Sequence, residues 1–317
     1  ELAIIDEVQR APDILSYIQT ITDEGKQKFI LTGSHQLLLT EKISQTLSGR
    51  TRIFELMPLS YRELIQEAKN KERSTLELML QGGYPRIHKD HLNPYEWYQQ
   101  YIKSYIERDV REIINIGDLI LFERFLRLTG VRAAQTINYT QLGNDCGVKT
   151  PTAMSWISLM CASYICFLLP PYFVNFNKRY IKTPKLYFYD TGVLCTILNI
   201  RNIEQLENHP LLGHIFENFI VSEFYKNSLN VGEQPPYYFY RDQKRNEVDL
   251  IEEDGQHLKL FEIKYGQTFQ SEWIRGLEFL KRNESKSNGQ YLIYNGSEDF
   301  SYENVQICNW RKYFEMQ

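Results

Sequence analysis

The sequence predicts an α/β chain of several domains, and three observations carry that expectation. At 317 residues and 43% hydrophobic content there is apolar material for more than one core. The opening stretch alternates apolar strands with helical segments, as a parallel sheet does. The last third alternates in the same way around the strand–turn–strand unit NEVDLIEEDGQHLKLFEIKYG.

In chain order, ELAIIDEVQRAP runs an apolar strand straight into Asp6-Glu7. That is the Walker B pattern, in which a buried strand delivers an Asp to the magnesium of bound ATP and a Glu to the attacking water. The plainer reading is a capped strand before a helix, with Asp6 or Asp13 as the cap. PDILSYIQTITDEG then reads as a helix and KFILTGS as a second buried strand ending in Thr32-Gly33-Ser34. A helix follows to Gly49-Arg50, and TRIFELMPLS reads as a third strand. This first domain is expected over residues 1–57, closing near Met57-Pro58.

Residues 58–136 are expected to be a helical lid or linker. YRELIQEA, STLELMLQGG and NPYEWYQQYIKSYIERDVREII space their apolar residues helically, with a turn at Gly82-Gly83-Tyr84-Pro85. Tyr95, Trp97, Tyr98, Tyr101 and Tyr105 suit either a base-stacking platform or a helical core, and core packing is the expectation. Residues 137–201 read as a winged helix. TQLGNDCGV forms a short helix and turn, Thr150-Pro151 opens a second helix through Ser163, and LPPYFVNFNKRYIKTPKLYFYD supplies the wing hairpin. The second helix offers Lys149, Thr152, Ser155 and Ser158, a poor set for reading bases, so a packing or backbone-binding module is expected.

The domain over 202–317 opens on the polar stretch Asn202 to His209. An amphipathic helix follows with its stripe at Leu212, Ile215, Phe216, Phe219 and Ile220, and Glu217 stands one residue out of step. PYYFYRD is a strand. The hairpin after it, if closed tightly on Asp254-Gly255, sets Asp249 opposite Leu260. Asp249, Glu262 and Lys264 then share one face, and Val248, Leu250, Phe261 and Ile263 the other. Two carboxylates side by side suit Mg, which takes one or two of them and keeps its other positions for water and phosphate. Lys264 would hold or polarise the attacking water. The plain alternative is a surface salt bridge. SEWIRGLEFLKRN and GQYLIYNG supply a further helix and strand.

The net charge of −4 excludes a globally basic nucleic-acid binder and leaves one local patch of Lys178, Arg179, Lys182, Arg241, Lys244 and Arg245. Five cysteines without C-x-x-C spacing suggest neither a disulfide framework nor a zinc site, and fit a reducing cytoplasm. The longest apolar run, Tyr164 to Leu169, falls far short of the ~20 residues of a membrane span, and no signal peptide is visible.

From Glu217 through Asp249 to the FEIK segment, the order of elements and polar positions resembles the PD-(D/E)xK, restriction-endonuclease-like nuclease core. Val248 stands where the family pattern has a proline. IIDEVQRAP, FILTGS, LSGRTRIFELMPLSYREL, GGYPRI, YIKSYIERDVREI, YFYDTGVL and FENFIVSEF together resemble the prokaryotic AAA-type ATPases that carry a C-terminal domain of unknown function related to that nuclease fold. The resemblance implies a partial P-loop ATPase domain with Asp6 and Glu7 as Walker B, Asp6 toward magnesium. It also implies Ser34 as the sensor residue and Arg50 as an arginine finger or sensor arginine. The phosphate-binding G-x-x-x-x-G-K-[ST] does not occur, so the chain is expected to be a fragment whose full-length protein binds Mg-ATP. The expected function is ATP-coupled, Mg-dependent hydrolysis of nucleic acid. Asp249 and Glu262 would hold the metal, Lys264 would position water, and Glu217 would bind metal through water or orient Lys264. The alternative is a nucleotide-dependent switch with an idle nuclease fold, acting as a homo-oligomer or with a protein partner.

Overall fold

The computed structural model describes residues 2–25, 27–33, 47, 49–67, 72–105, 119–173, 183–284 and 286–316. They form two compact units, 1–54 and 55–317. In the first, β1 (Leu2–Ile5) pairs in parallel with β2 (Lys28–Leu31), and α1 (Ile14–Asp23) is the crossover between them. Ile5, Phe29 and Leu31 pack on Val8, Leu15, Ile18 and Leu47. The expected burial of β1 is corrected. Its other face is open, with Leu2 and Ile4 58% and 68% exposed, because among the described residues nothing covers it. The expected third strand is corrected too: residues 51–57 pair with no strand among those described, and a strand needs a ladder to form. Asp13 holds the N-cap position of α1 without a side-chain cap bond.

The second unit begins with short helices: α2 (Tyr61–Leu64), α3 (Thr75–Gln81), α4 (Pro85–Lys89) and α5 (Pro94–Tyr105). Ser60-Glu63 and Ser74-Glu77 close capping boxes that fix the starts of α2 and α3. Tyr98 and Tyr105 are buried, and Trp97 stacks on Tyr101 at 5.5 Å, so these aromatics pack as a core. Residues 106–118 lie outside the described residues.

Next come α6 (Leu119–Gly130), β3 (Gln135–Thr136), α7 (Tyr139–Cys146), α8 (Thr150–Ala162), β4 (Cys166–Leu169) and β5 (Lys185–Phe188). The three strands make an antiparallel sheet in the order β3-β5-β4. Asn138 caps α7, and Gly147, left-handed at φ 85°, ends it. Lys149, Ser155 and Ser158 are exposed. Residues 174–182, with Lys178, Arg179 and Lys182 of the expected basic patch, lie outside the described residues. After β5, the buried Asp190 caps α9 (Thr191–Ile197) through the Val193 N–H at 3.0 Å and accepts the Gly83 N–H at 2.6 Å, tying α9 to the turn after α3.

After α10 (Ile203–Glu207), α11 (Leu212–Asn230) runs through the unit. The expectation of an amphipathic helix is corrected: every residue from Ile215 to Lys226 is buried, as in a helix covered on all sides. Glu217, Asn218, Ser222, Glu223, Lys226 and Ser228 accordingly have hydrogen-bond partners, whereas Asn227 Nδ2 is buried without one. Glu223 pairs with Lys226 at 2.9 Å and accepts the Tyr61 N–H at 2.5 Å.

One side of α11 lies on a six-stranded sheet in the order β10-β11-β9-β8-β7-β6. Strands β6 (Tyr237–Arg241), β7 (Glu247–Asp254) and β8 (His257–Lys264) form an antiparallel meander. α12 (Arg275–Asn283) then carries the chain to β9 (Ser287–Tyr294), parallel to β8. The edge is completed by β10 (Phe300–Tyr302) and β11 (Val305–Asn309), and α13 (Trp310–Met316) ends the chain. Leu250, Phe261 and Ile263 join the core that includes α11, while Val248, Leu258 and Leu260 join a second core with Leu277 and Leu280 of α12. At Gly276 the helix backbone approaches β7 so closely that an added Cβ would meet the Glu247 carbonyl oxygen at 1.9 Å.

Two hairpin expectations are corrected. The turn is Gly255-Gln256 between Asp254 and His257, so Leu260 faces Ile251, and Asp249 lies in register with Glu262 just past the last pair Leu250–Phe261. Val248 does not share a face with Leu250. Between Tyr238–Ile251 and Tyr240–Val248 the β6–β7 pairing gains one residue on β7, a bulge that turns Val248 to the α12 side.

A candidate carboxylate–lysine site

The bulge places Asp249 where α11, β5 and β8 converge. Its Oδ2 accepts the Ile263 N–H at 3.0 Å and lies 3.3 Å from Lys264 Nζ, and its Oδ1 lies 3.5 Å from Lys185 Nζ. Lys264 Nζ also lies 2.5 Å from Glu262 Oε1 and 3.2 Å from the Ile263 carbonyl. Glu262 Oε2 is buried without a hydrogen-bond partner. On the other side, Glu217 Oε1 accepts from Lys185 Nζ at 3.0 Å and from the Tyr187 hydroxyl at 2.7 Å. Glu247 joins Lys185 at 2.6 Å and Arg241 at 3.5 Å.

Expected Asp249, Glu262, Lys264 and Glu217 are thus gathered around two ammonium groups. Glu217 is not hydrogen-bonded to Lys264; its bonds go to Lys185 and Tyr187. Sequence reasoning missed Lys185, Tyr187 and Glu247. The available signal was a lysine opening the otherwise apolar strand Lys-Leu-Tyr-Phe, a residue type almost never buried without a partner. Asn218 fixes that strand: its Oδ1 accepts the Phe188 N–H at 2.7 Å and its Nδ2 donates to the Phe188 carbonyl at 2.9 Å.

Burial and the neighbouring Asp249 charge push the Glu217 carboxyl up to about 7 and that of Glu262 up to about 8. Burial acts on Asp249 in the same direction, but Lys264, Lys185 and the Ile263 N–H outweigh it and hold Asp249 below the usual range. Burial lowers His214, whose Nδ1 lies 4.0 Å from Glu217 Oε2. Among the described residues no group of three or more His, Cys, Asp or Glu is arranged to hold a metal ion.

In the first unit, Asp6 at the end of β1 accepts a hydrogen bond from Thr32 Oγ1, at the end of β2. Glu7, with φ 54°, lies 3.5 Å from Arg10, and Arg50 donates to Asp23 at 2.5 Å. Ser34 lies outside the described residues. Lys244 and Arg245 are exposed at the β6–β7 turn. No described helix is long and apolar enough to cross a membrane.

Residues 72–204 match the family model described as Domain of unknown function (DUF8612). Uncharacterized proteins of Mycobacterium bovis and Mycobacterium tuberculosis are each 28% identical over 271 residues, covering 84% of this chain and 59% of theirs. An uncharacterized protein of Methanocaldococcus jannaschii is 23% identical over 287 residues, 82% of this chain and 60% of its own. The chain therefore spans about six-tenths of the length of these relatives. Residues 1–65 match the model described as AAA domain and residues 212–313 that described as Domain of unknown function (DUF4143), and these matches support an AAA-type ATPase-like protein.

Proposed function

We propose that the chain belongs to a protein that couples ATP binding and hydrolysis to metal-dependent cleavage of nucleic-acid phosphodiesters, with the cleaving site at Asp249, Glu262 and Lys264. The observation that carries this reading is the buried Glu262 Oε2, without a partner, in a carboxylate pair spanned by Lys264. A hard divalent cation supplies what that oxygen lacks, and Mg needs only one or two protein carboxylates. The run of helix, three antiparallel strands, helix and parallel strand from α11 to β9 supports the nuclease-like reading of residues 202–317. The order α6-β3-α7-α8-β4-β5 supports the winged-helix reading of 137–201.

In this reading Asp249 and Glu262 would hold Mg, which when bound would supply Lewis-acid polarisation of a phosphoryl oxygen and an activated water. Asp249 is pre-set for the task, because the Ile263 N–H fixes the carboxylate and the lysines keep it ionised. Lys264, a third exposed where Asp249 is nearly buried, presents an ammonium to the water or to the phosphate. Glu217, held by Lys185 and Tyr187, orients Lys185 rather than Lys264. Lys244 and Arg245 at the β6–β7 turn offer phosphate contacts. Asp6 and Glu7 are read as Walker B, with Asp6 toward the magnesium of ATP and Thr32 bonded to it; for Arg50 to act as a finger it must leave Asp23. A cytoplasmic location and assembly with further copies or a partner protein belong to the same proposal.

The test is incubation of the chain with plasmid DNA and with single-stranded RNA in Mg or Mn, alongside Asp249→Asn. Cleavage abolished by the substitution supports the proposal. Cleavage untouched by it, or no cleavage and no divalent binding, overturns it. The latter result favours a second reading, a nucleotide-dependent switch with an idle site, for which the observation is that Lys185 and Lys264 already neutralise most of the buried acid.

A further inference from the structure

We infer that Lys185 is a built-in substitute for a divalent cation: its ammonium gathers Glu217, Glu247 and Asp249 and sets how tightly a metal ion is held beside Asp249. The inference rests on the metal-site reading above and concerns its regulation. Lys185 is 2% exposed and opens β5, a strand of the small sheet. An ammonium has three hydrogens, and here three carboxylates surround it, at 2.6 Å (Glu247), 3.0 Å (Glu217) and 3.5 Å (Asp249). They come from two elements, α11 and β7, so the cation ties them together as a metal would. The Phe239 ring, with its centroid 5.5 Å from Nζ, gives the charge a further attractive surface.

Lys264 is placed differently. It is a third exposed and spans two carboxylates. The contacts separate the two roles. Of the buried acids, Asp249 is the one that both ammoniums reach, Lys185 at Oδ1 and Lys264 at Oδ2. Lys185 and the metal therefore compete for Asp249, and whatever shifts β5 relative to β7 tunes that competition.

The test is Mn binding by calorimetry, together with thermal melts in EDTA and in Mn, on the parent chain, Lys185→Met and the double variant Lys185→Met/Glu217→Gln. The double variant also removes the acid that Lys185 holds most closely on α11 and guards against a single variant that fails to fold. Removal of a unit positive charge this close to the metal is expected to tighten Mn binding about tenfold or more in Lys185→Met, and by less in the double variant, where loss of the Glu217 carboxyl offsets part of the gain. Mn should also raise their melting temperatures more than the parent's. Tighter binding by the variants supports the inference, including when the parent itself shows no Mn response. A parent that binds Mn through Asp249, as shown by loss in Asp249→Asn, with variants that bind no tighter, overturns the role of Lys185 and leaves the metal site standing. No Mn binding by any form overturns both.

Discussion

Asn218 grips Phe188 by both backbone groups, accepting its N–H at 2.7 Å and donating to its carbonyl at 2.9 Å. Both partners are buried, and no water can replace a lost bond. Each orphaned group is expected to cost about 1–3 kcal/mol. Asn218→Leu should therefore destabilise the chain by about 2–6 kcal/mol in urea melts, and Asn218→Ser less. An unchanged midpoint for the leucine variant would show that β5 does not depend on this clamp.

The two raised carboxyls give the stability a defined pH dependence. Glu217 and Glu262 hold protons in the folded chain at pH values where an unfolded glutamate has lost them. Their contribution is complete below the ordinary glutamate value near 4.5 and is lost as pH rises through about 7 and about 8. Asp249, shifted downward, works in the opposite sense, and its contribution disappears only in acid. Melting temperature in EDTA should fall from pH 6 to pH 9, and Glu262→Gln should flatten that decline. A melting temperature that climbs over this window would contradict the assignment.

Mg or Mn binding should release protons. A divalent ion held by Glu262 requires its carboxylate ionised, so at pH 7 the calorimetric heat should vary with buffer ionisation enthalpy. Equal heats in phosphate and Tris would argue that the ion binds elsewhere.

Lys264→Ala and Asp249→Asn should separate chemistry from stability. Where the site cleaves phosphodiesters, Lys264→Ala should keep divalent binding and lower the rate by about 10²–10³-fold. Asp249→Asn should lose both. Where the site is idle, Lys264→Ala should still destabilise the fold, but less than Lys185→Met, because Lys185 holds three acids and Lys264 two. Melts of the three variants with and without Mn give the order.

Mg-ATP binding by these 317 residues should be weak. The sequence holds Asp6 and Glu7 but no G-x-x-x-x-G-K-[ST], whose amides and lysine carry most phosphate contacts. Micromolar binding in a calorimeter would show that another segment cradles the phosphates.

Much of the C-terminal geometry was legible because it depends on alternation. Asp249, Glu262 and Lys264 were brought together by parity alone, and parity survived a two-residue error in the turn: Asp249 faces Glu262 rather than Leu260, both even steps along β8. The bulge was invisible, since an extra residue on β7 leaves no mark in the pattern of Val248, Asp249 and Leu250. So was the burial of α11 on every side, because its polar residues Glu217, Asn218, Glu223 and Lys226 read as a solvent face until their partners on β5 and near Tyr61 are known. The third strand expected from TRIFELMPLS failed for a related reason: apolar periodicity states what a segment can pair with, not that a partner is at hand.

The reach of β5 into the carboxylate cluster also bears on inheritance. A gene piece starting at Asn202 would encode Glu217, Glu247, Asp249, Glu262 and Lys264 but neither Lys185 nor Tyr187, and would carry its acids with half their lysines. Recombination between these stretches would have to supply a matching cation in the same event or lose the acids afterwards. Descendants that separated the two should therefore show the cluster either rebuilt around another base or emptied of charge.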